Sequence, residues 1–293
     1  MTNERGGAKF PLRLDALGSK PKIARTPSPA PAAPPRPPSK SAAAPVPRAM
    51  LRPQRPLAHA HTDSSPRAAP SGLGLDSADV RKRMTQRLRA AGITNDAVLQ
   101  AMASVPRHLF VDAALVTQAY EDTSLPIGHG QTISKPSVVA RMIELLMGGA
   151  TARRTRKLGR VLEVGTGCGY QAAVLGLLSD QVYSVERLKP LHDKARELLG
   201  STQRVNLRLV YGDGMRGHPP NAPYDSIIAA AGGDALPEAW LEQLAVGGRL
   251  VAPVQQASGR QQVLVVVDRT ERGYEHSVNE VVKFVPLKSG LIG

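Results

Sequence analysis

Residues 160–170, which read R-V-L-E-V-G-T-G-C-G-Y, join a short apolar run to three glycines at alternate positions. Val161, Leu162 and Val164 suit a buried parallel strand, and a helical pattern follows at residues 171–178. Glycine lets the backbone bend sharply and approach a ligand with no Cβ in the way. The order of strand, glycine turn and helix therefore predicts a nucleotide-binding turn. The next strand-like run ends in Glu186, where a carboxylate can accept hydrogen bonds from two ribose hydroxyls.

The glycine spacing distinguishes two classes of cofactor. A dinucleotide fingerprint, G-x-G-x-x-G, needs its third glycine at position 170, where the sequence has Tyr170. The observed G-x-G-x-G of Gly165, Gly167 and Gly169 resembles the S-adenosyl-L-methionine (AdoMet) site of Rossmann-like methyltransferases. AdoMet carries no pyrophosphate, so the helix N-terminus need not face a phosphate. A glycine-rich turn alone could also be an ordinary tight turn that binds no ligand. The strand and the acid that follow it favour an AdoMet site.

Strands and helices alternate from residue 160 onward, which predicts an α/β fold with a Rossmann-like, doubly wound, seven-stranded, mostly parallel sheet. Helices are expected to start near Tyr170, Pro190 and Pro237. The last two strands meet at a turn near Gly273 and are expected to close the sheet as an antiparallel C-terminal pair. The predicted strands are residues 161–164, 182–185, 207–211, 226–229, 249–253, 262–268 and 277–285.

The residues before the sheet divide into a tail and two helices. Residues 1–75 hold more than half of the 25 prolines and most of the +14 formal charge. Such a segment cannot bury enough apolar surface to offset its ordering entropy, so we expect a disordered Pro/Ala/Arg-rich basic tail before a methyltransferase domain at residues 76–293. Contact of this tail with nucleic acid is compatible with its charge but is not predicted as a function. Two extra helices are expected, one from Ser77 to Gly92 and one from Thr94 or Asn95 to Pro106.

The compartment is inferred from cysteine usage and hydropathy. Cys168 is the single cysteine, so no intrachain disulfide is possible. No apolar run reaches the length of a membrane span, and no apolar signal segment is visible near the N-terminus. We expect a cytoplasmic monomer without membrane contact and without a metal site.

Residues 125–136, L-P-I-G-H-G-Q-T-I-S-K-P, form the second informative stretch. They lead into a helix predicted at residues 137–147, whose apolar stripe is Val138, Met142, Leu145 and Leu146. A polar, glycine-bearing loop that enters a buried helix suits a substrate loop over a cofactor, although a structural Ω-loop fits equally well. Its hydrogen-bonding side chains are His129, Gln131, Thr132 and Ser134.

Gly212-Asp213-Gly214 follows the third predicted strand. The Asp213 carboxylate stands where it can accept a hydrogen bond from an adenine amino group, although an ordinary Asp-Gly turn competes with this interpretation. Because ligands of open α/β sheets bind at the carboxyl ends of the strands, the shared rim with Gly165 and Glu186 favours binding by Asp213 and Gly214.

With both stretches in view, the chain from about residue 76 onward resembles the protein-L-isoaspartate(D-aspartate) O-methyltransferase family. The glycine turn is common to many methyltransferases, whereas G-H-G-Q-T-I-S at residues 128–134 is far more specific. The other shared motifs are V-P-R-H-L-F-V at residues 105–111, A-Y-E-D at 119–122, Y-S-V-E-R at 183–187, G-D-G at 212–214 and K-F-V-P-L at 283–287.

The resemblance implies methyl transfer from AdoMet to the free α-carboxylate of L-isoaspartyl and D-aspartyl residues in damaged proteins, which initiates repair through a succinimide. Isoaspartyl-containing peptides and proteins are the implied partners. Ser134 is the implied active-site serine, and Val285 and Pro286 belong to the strand that lies beside the substrate peptide. The implied cofactor residues are Thr132, Ile133, Glu163, Gly165, Gly167, Glu186 and Asp213.

The implied chemistry needs positioning more than acid–base catalysis. The substrate carboxylate is already ionised at neutral pH, so Ser134 is expected to donate an orienting hydrogen bond and not to act as a nucleophile. His129 fits a hydrogen bond within its own loop better than a catalytic role. Three departures from the family pattern stand out: Cys168 for a serine or another small residue, Lys135 where glutamine is frequent, and residues 232–234 in place of a proline-rich segment.

Two other function classes stay open. A nucleic-acid or small-molecule methyltransferase is one, but amino-methylating enzymes usually carry [DN]-P-P-[YFW] after the fourth strand, where residues 229–234 read A-A-A-G-G-D. The similar residues 218–221, H-P-P-N, precede that strand, and aromatic residues make up only 3% of the chain. A non-enzymatic binding protein that retains the AdoMet fold is the other, and the intact glycines and acids argue against it.

Overall fold

The computed structural model describes residues 78–200, 205–256, 259 and 261–293. The predicted tail and the proposed cap at Ser77 lie outside the described residues. None of the helices in these ranges is long and apolar enough to cross a bilayer.

The first described elements are two helices, a hairpin and two further helices. Asn95 caps the second helix, since its side chain accepts a hydrogen bond from the Val98 amide. The predicted pair of N-terminal helices is therefore confirmed. Their bounds, with those of the hairpin and the next helices, are α1 Ala78–Ala90, α2 Asp96–Ser104, β1 Leu125–Gly128, β2 Gln131–Ile133, α3 Pro136–Met147 and α4 Ala150–Thr155.

The central sheet follows, with helices between its parallel strands. Its elements are β3 Arg160–Val164, α5 Tyr170–Leu178, β4 Gln181–Glu186, α6 Lys189–Gly200, β5 Leu207–Tyr211, β6 Tyr224–Ala229, α7 Glu238–Glu242, β7 Leu244–Gln255, β8 Gln262–Thr270 and β9 Gly273–Val282. The strand order is β5-β4-β3-β6-β7-β8-β9. β3 pairs in parallel with β4 and β6, whereas β8 pairs antiparallel with β7 and β9. The predicted mostly parallel, seven-stranded α/β fold is confirmed.

The chain leaves β3 toward β4 and returns on the other side of β3 as β6. This reversal of direction makes the carboxyl end of β3 the topological switch point, where ligands of open α/β sheets bind. Leu162 and Val164 are buried in the core at this strand. The fold therefore brings the glycine turn after β3 to the edge at which a nucleotide site is expected.

The last strand ends earlier than the sequence predicted. β9 covers Gly273–Val282, not residues 277–285. Beyond it, the Phe284 amide donates to the side chain of Gln262, while the Val285 carbonyl accepts from Gly232 and the Leu287 amide donates to the Gly232 carbonyl. Residues 285–287 thus leave β8 and pair with the loop after β6.

Residues 125–133 form a hairpin, where the sequence suggested a polar substrate loop or a structural Ω-loop. Leu125 pairs with Ile133 and Pro126 with Thr132 in the antiparallel β1–β2 ribbon. Gly128, His129 and Gly130 at its tip all have positive φ angles, of 95°, 53° and 68°. Glycine adopts this region without steric cost, so the two glycines allow the tight reversal.

The buried face of α3 is rotated relative to the predicted stripe. Met142 and Leu146 are fully buried as expected, but Val138 and Leu145 are only half-buried. α3 packs on both β6 and β7, which buries a broader face than one four-residue stripe. The buried residues of this face are Pro136, Val139, Ala140, Met142, Ile143, Leu146 and Met147.

Candidate active site

The hairpin and the glycine turn line one cavity of about 230 Å³. Two segments far apart in sequence therefore face each other across the carboxyl end of β3. Ser134 lies at the end of the hairpin, and Gly165 and Gly167 form the opposite wall. The predicted site residues that line the cavity are Thr132, Ile133, Ser134, Gly165, Gly167, Glu186, Gly214, Val285 and Pro286.

Glu186 is fixed beside the glycine turn by two backbone amides. Gly167 donates to Oε2 over 2.9 Å, and Leu188 donates to Oε1 over 3.0 Å. The side chain is 5% exposed and lines the cavity. A carboxylate has about four acceptor sites, so Glu186 retains acceptors for a ligand after both amides are bound. This arrangement suits the predicted contact with ribose hydroxyls.

Glu163 lies below the cavity and does not line it, contrary to the position expected from sequence. Its carboxyl group is fully buried and accepts a 2.5 Å hydrogen bond from the Ser184 hydroxyl. Ser184 in turn lies 2.6 Å from the hydroxyl of Thr166, which does line the cavity. Burial raises the pKa of Glu163 to about 8. The side chain is therefore mostly neutral at pH 7, and it is linked to the cavity through Ser184 and Thr166 and through Gln171, which also lines the cavity.

Gly169 packs closely against α6, and its predicted contact with the cofactor stays a prediction. It caps α5 with a φ of 91°, and a Cβ at this position would lie 2.7 Å from Cδ1 of Leu199. It is not among the residues that line the cavity. Glycine is therefore required here for the close approach of α5 and α6.

Asp213 is also outside the cavity lining, although it lies on the predicted rim. One carboxylate oxygen accepts from the Met215 amide over 3.0 Å, and the other accepts from the Gly290 amide over 2.8 Å. The structure thus ties Asp213 to the C-terminal segment. Its contact with adenine stays a prediction, which this geometry does not favour.

The C-terminal segment forms a cavity wall that sequence reasoning missed. Lys288 and Ile292 line the cavity together with Arg187 and Leu188. The Arg187 side chain donates to the Gly290 carbonyl over 2.9 Å, and Leu188 and Ile292 form a parallel bridge. About 100 residues separate the two residues of this bridge, and no local sequence signal marks such a contact.

Arg107 is a second residue that sequence reasoning did not single out. It is fully buried, and its guanidinium donates to the Ala119 carbonyl over 2.7 Å and to the Ser134 carbonyl over 2.8 Å. The guanidinium carbon also lies 4.7 Å from the ring centre of Tyr170. Burial lowers the pKa of Arg107, whereas nearby Tyr170 raises it. The only available signal was the V-P-R run within the shared motif at residues 105–111.

The comparison with known proteins decides between the methyltransferase classes. The model of the family described as Protein-L-isoaspartate(D-aspartate) O-methyltransferase (PCMT) matches residues 79–291. The chain belongs to this family.

Relatives and solved structures agree with the assignment to the PCMT family. A protein-L-isoaspartate O-methyltransferase of Methylibium petroleiphilum is 56% identical over 288 residues, which is 98% of each chain. One of Leptothrix cholodnii is 62% identical over 82% of this chain and 84% of its own length. A solved structure named protein-L-isoaspartate O-methyltransferase has a TM-score of 0.64 and 28% identity, and the match covers 72% of this chain and 67% of that chain.

PCMT enzymes use AdoMet, and the cavity fits that cofactor. A Cβ at Gly167 would lie 3.2 Å from Cδ1 of Ile127, which would narrow the gap between the glycine turn and the hairpin. The acid that suits a ribose, Glu186, lies at the same turn. The glycine turn, the hairpin and Glu186 therefore form a cradle in which a side chain at position 167 would occupy ligand space.

The thiol of Cys168, which lines the PCMT cavity, is not activated as a nucleophile. Burial raises the pKa of the Cys168 thiol, which keeps it protonated. His129 is exposed at the hairpin tip and lines the cavity. Residues 218–221, the look-alike of an amine-binding motif, precede β6 and do not line the cavity.

The Ser134 hydroxyl is a polar group at the edge of the PCMT cavity. It has no hydrogen-bond partner within the described residues, although the side chain is half-buried. Ser134 also lines a second, larger groove together with Thr132, Val285 and Pro286. The cavity and the groove therefore meet at these four residues.

Proposed function

We propose that this chain transfers a methyl group from AdoMet to the free α-carboxylate of L-isoaspartyl and D-aspartyl residues in damaged proteins. The ester initiates repair through a succinimide. The observation that carries the proposal is the position of Ser134, whose unpartnered hydroxyl lies where the cavity meets the groove.

Some of the predicted residues would contact AdoMet directly, and others would support its site from outside the cavity lining. We propose that the cofactor is held by Thr132, Ile133, Gly165, Gly167, Glu186 and Gly214, which all line the cavity. Bound AdoMet supplies an activated methyl group. Glu163, Gly169 and Asp213 support the cradle from outside the lining, through the Thr166 hydroxyl, the packing of α5 and the C-terminal wall.

The residues around Ser134 would act mainly by positioning. An α-carboxylate with a pKa near ~3.5 is ionised at neutral pH and needs no general base. The Ser134 hydroxyl would donate to one carboxylate oxygen and fix its direction, while Val285 and Pro286 would confine the peptide on the other side of the groove. Correct placement of reacting groups contributes up to about 7–11 kcal/mol to a reaction barrier.

The hairpin would keep water away from the reacting carboxylate. Ile127 and Ile133 are buried and line the cavity from the hairpin side. Apolar side chains at this wall lower the local polarity, which strengthens the orienting hydrogen bond from Ser134.

A pair of peptides that differ only in Asp or isoAsp at one position tests the proposal. The protein and labelled AdoMet should yield a base-labile methyl ester on the isoAsp peptide and none on the Asp peptide. An RNA sample in the same assay serves as the comparison for the nucleic-acid alternative. Label in RNA, or equal label in both peptides, would contradict the proposed substrate.

Three expectations from the sequence stay predictions alongside this function. They are a cytoplasmic location, which rests on the single cysteine, a monomeric state, and a tail without a nucleic-acid function.

A further inference from the structure

The groove beside Ser134 has two walls that each carry a lysine. Lys135 follows Ser134 directly at the start of α3, and Lys283 lies two residues before Val285 on the segment after β9. Both side chains belong to exposed residues that line the groove. Neither lysine forms an ion pair with an acid of the described residues.

The third cation of the groove is neutralised by its neighbours. Arg141 donates to Glu280 over 3.2 Å and to Glu144 over 3.1 Å. Glu280 is the one acid in the groove lining of the described chain, and it is engaged by Arg141. Among the groove-lining residues, the charges without a partner of opposite sign are therefore those of Lys135 and Lys283, while the carboxylate of Asp122 behind the lining accepts from the Ser137 amide and hydroxyl.

These charges flank the point at which the damaged residue would bind. Neighbouring Cα atoms of a peptide are about 3.8 Å apart, so the residues on either side of an isoaspartyl group at Ser134 lie within the span of a lysine side chain. Building on the proposed function, we propose that the groove selects isoaspartyl peptides with acidic residues next to the damaged site. Lys135 and Lys283 are the residues that determine this preference.

Three isoaspartyl peptides that carry Glu, Gln or Lys on both sides of the damaged residue test the preference. We expect kcat/KM to be about two- to fivefold higher for the Glu-flanked than for the Gln-flanked peptide, as exposed ion pairs allow, and lowest for the Lys-flanked peptide. The difference should lie in KM and in the Kd of a labelled peptide. It should shrink between about 0.01 M and about 0.15 M ionic strength, as the Debye length falls from about 30 Å to about 8 Å.

The Lys135→Gln/Lys283→Gln double variant assigns the preference to the two lysines. Its ratio of kcat/KM for Glu-flanked over Gln-flanked peptide should approach one. Arg272→Gln is the matched control, because Arg272 lies in the turn between β8 and β9 at the opposite end of the sheet. This variant should retain the wild-type ratio.

Two results would contradict the proposed preference for acidic flanking residues, and a third would contradict the proposed function on which it rests. Equal kcat/KM for the three peptides at low salt, or an unchanged preference in the double variant, would show that the lysines do not select acidic flanks. Absence of methylation on every isoaspartyl peptide, including the Gln-flanked one, would instead reject the proposed function.

Discussion

Arg107 holds Ser134 by its backbone, through a 2.8 Å hydrogen bond from the guanidinium to the Ser134 carbonyl. A second bond reaches the Ala119 carbonyl, and the guanidinium lies over the ring of Tyr170. Arg107 does not line the cavity, yet it joins the hairpin end to two other segments. The backbone of Ser134 is therefore held by a side chain that does not line the cavity.

Arg107→Lys should separate the effect of the charge from that of the planar donor group. A lysine keeps the charge but lacks the fork that serves two carbonyls, and each unsatisfied buried acceptor costs about 1–3 kcal/mol. We expect a lower melting temperature and a loss of kcat/KM toward an isoaspartyl peptide that exceeds the change in AdoMet affinity. Arg89→Lys, at an exposed pair with Asp96, is the control. Equal losses in peptide turnover and AdoMet binding would contradict the positioning role.

The buried acid Glu163 should make stability depend on pH. In the folded chain it holds its proton up to about pH 8, whereas in the unfolded chain it ionises near its ordinary pKa of 4.5. Unfolding between these values releases a proton, so the free energy of unfolding should fall as pH rises from 4.5 to about 8.

Glu163→Gln should remove this dependence. Its free energy of unfolding relative to wild type should increase from about pH 5 to about pH 8, as measured by urea denaturation. Glu271→Gln, in the exposed turn between β8 and β9, is the control and should not change the profile. Parallel profiles of wild type and Glu163→Gln would mean that Glu163 is ionised in the fold.

Asp213 should influence AdoMet binding through the C-terminal wall. Asp213→Asn keeps an acceptor for Met215 but places an amide group against the Gly290 amide. We expect AdoMet affinity, measured by calorimetry, to fall by about tenfold, which corresponds to about 1.4 kcal/mol. Asp180→Asn, at an exposed pair with Lys157, should leave it unchanged.

A truncated chain separates the two roles considered for Asp213. In a chain that ends at Leu287, Gly290 is absent, so Asp213→Asn should cause no further loss of AdoMet affinity. Additive losses from the truncation and the substitution would support the direct adenine contact that the sequence suggested.

Gly167→Ala should narrow the cavity. The residue has a φ of 55°, which costs alanine about 1–2 kcal/mol, and the new Cβ would lie 3.2 Å from Ile127. We expect the Kd for AdoMet to rise. The loss of affinity should exceed what a lower fraction of folded protein, judged from the melting temperature, would cause. Gly200→Ala is the matched control, since a Cβ there meets no atom within 4 Å and its φ is not positive. Unchanged AdoMet affinity in Gly167→Ala would place the cofactor elsewhere.

The fold was largely predictable because its signals are local. The apolar runs at β3, β4 and β6 are buried parallel strands, the run at β5 is a half-buried parallel strand at the sheet edge, and the glycine turn marks the strand at which the sheet order reverses. The predicted end of β9 was wrong because Phe284 and Val285 are as apolar as strand residues, but the Phe284 amide donates to the Gln262 side chain and Val285 pairs with Gly232. Pairing between distant segments has no signature in a window of neighbouring residues.

The site was predictable only in part, because a sequence pattern shows which residues are near a turn but not which way their side chains point. Strand spacing identified Glu186, and the family resemblance identified the hairpin residues, which all line the cavity. Neither shows the direction of side chains, so Glu163 was expected to face the cofactor but accepts from Ser184 instead, and Asp213 accepts from the Gly290 amide. Arg107 was missed because its importance lies in a contact with a carbonyl 27 residues away.

Steady-state kinetics of Ser134→Ala with a single isoaspartyl peptide test most directly whether this hydroxyl orients the substrate carboxylate. We expect kcat/KM to fall by about tenfold or more, the cost of one hydrogen bond to a charged group, with AdoMet affinity nearly intact. A kcat/KM equal to that of wild type would remove Ser134 from the mechanism.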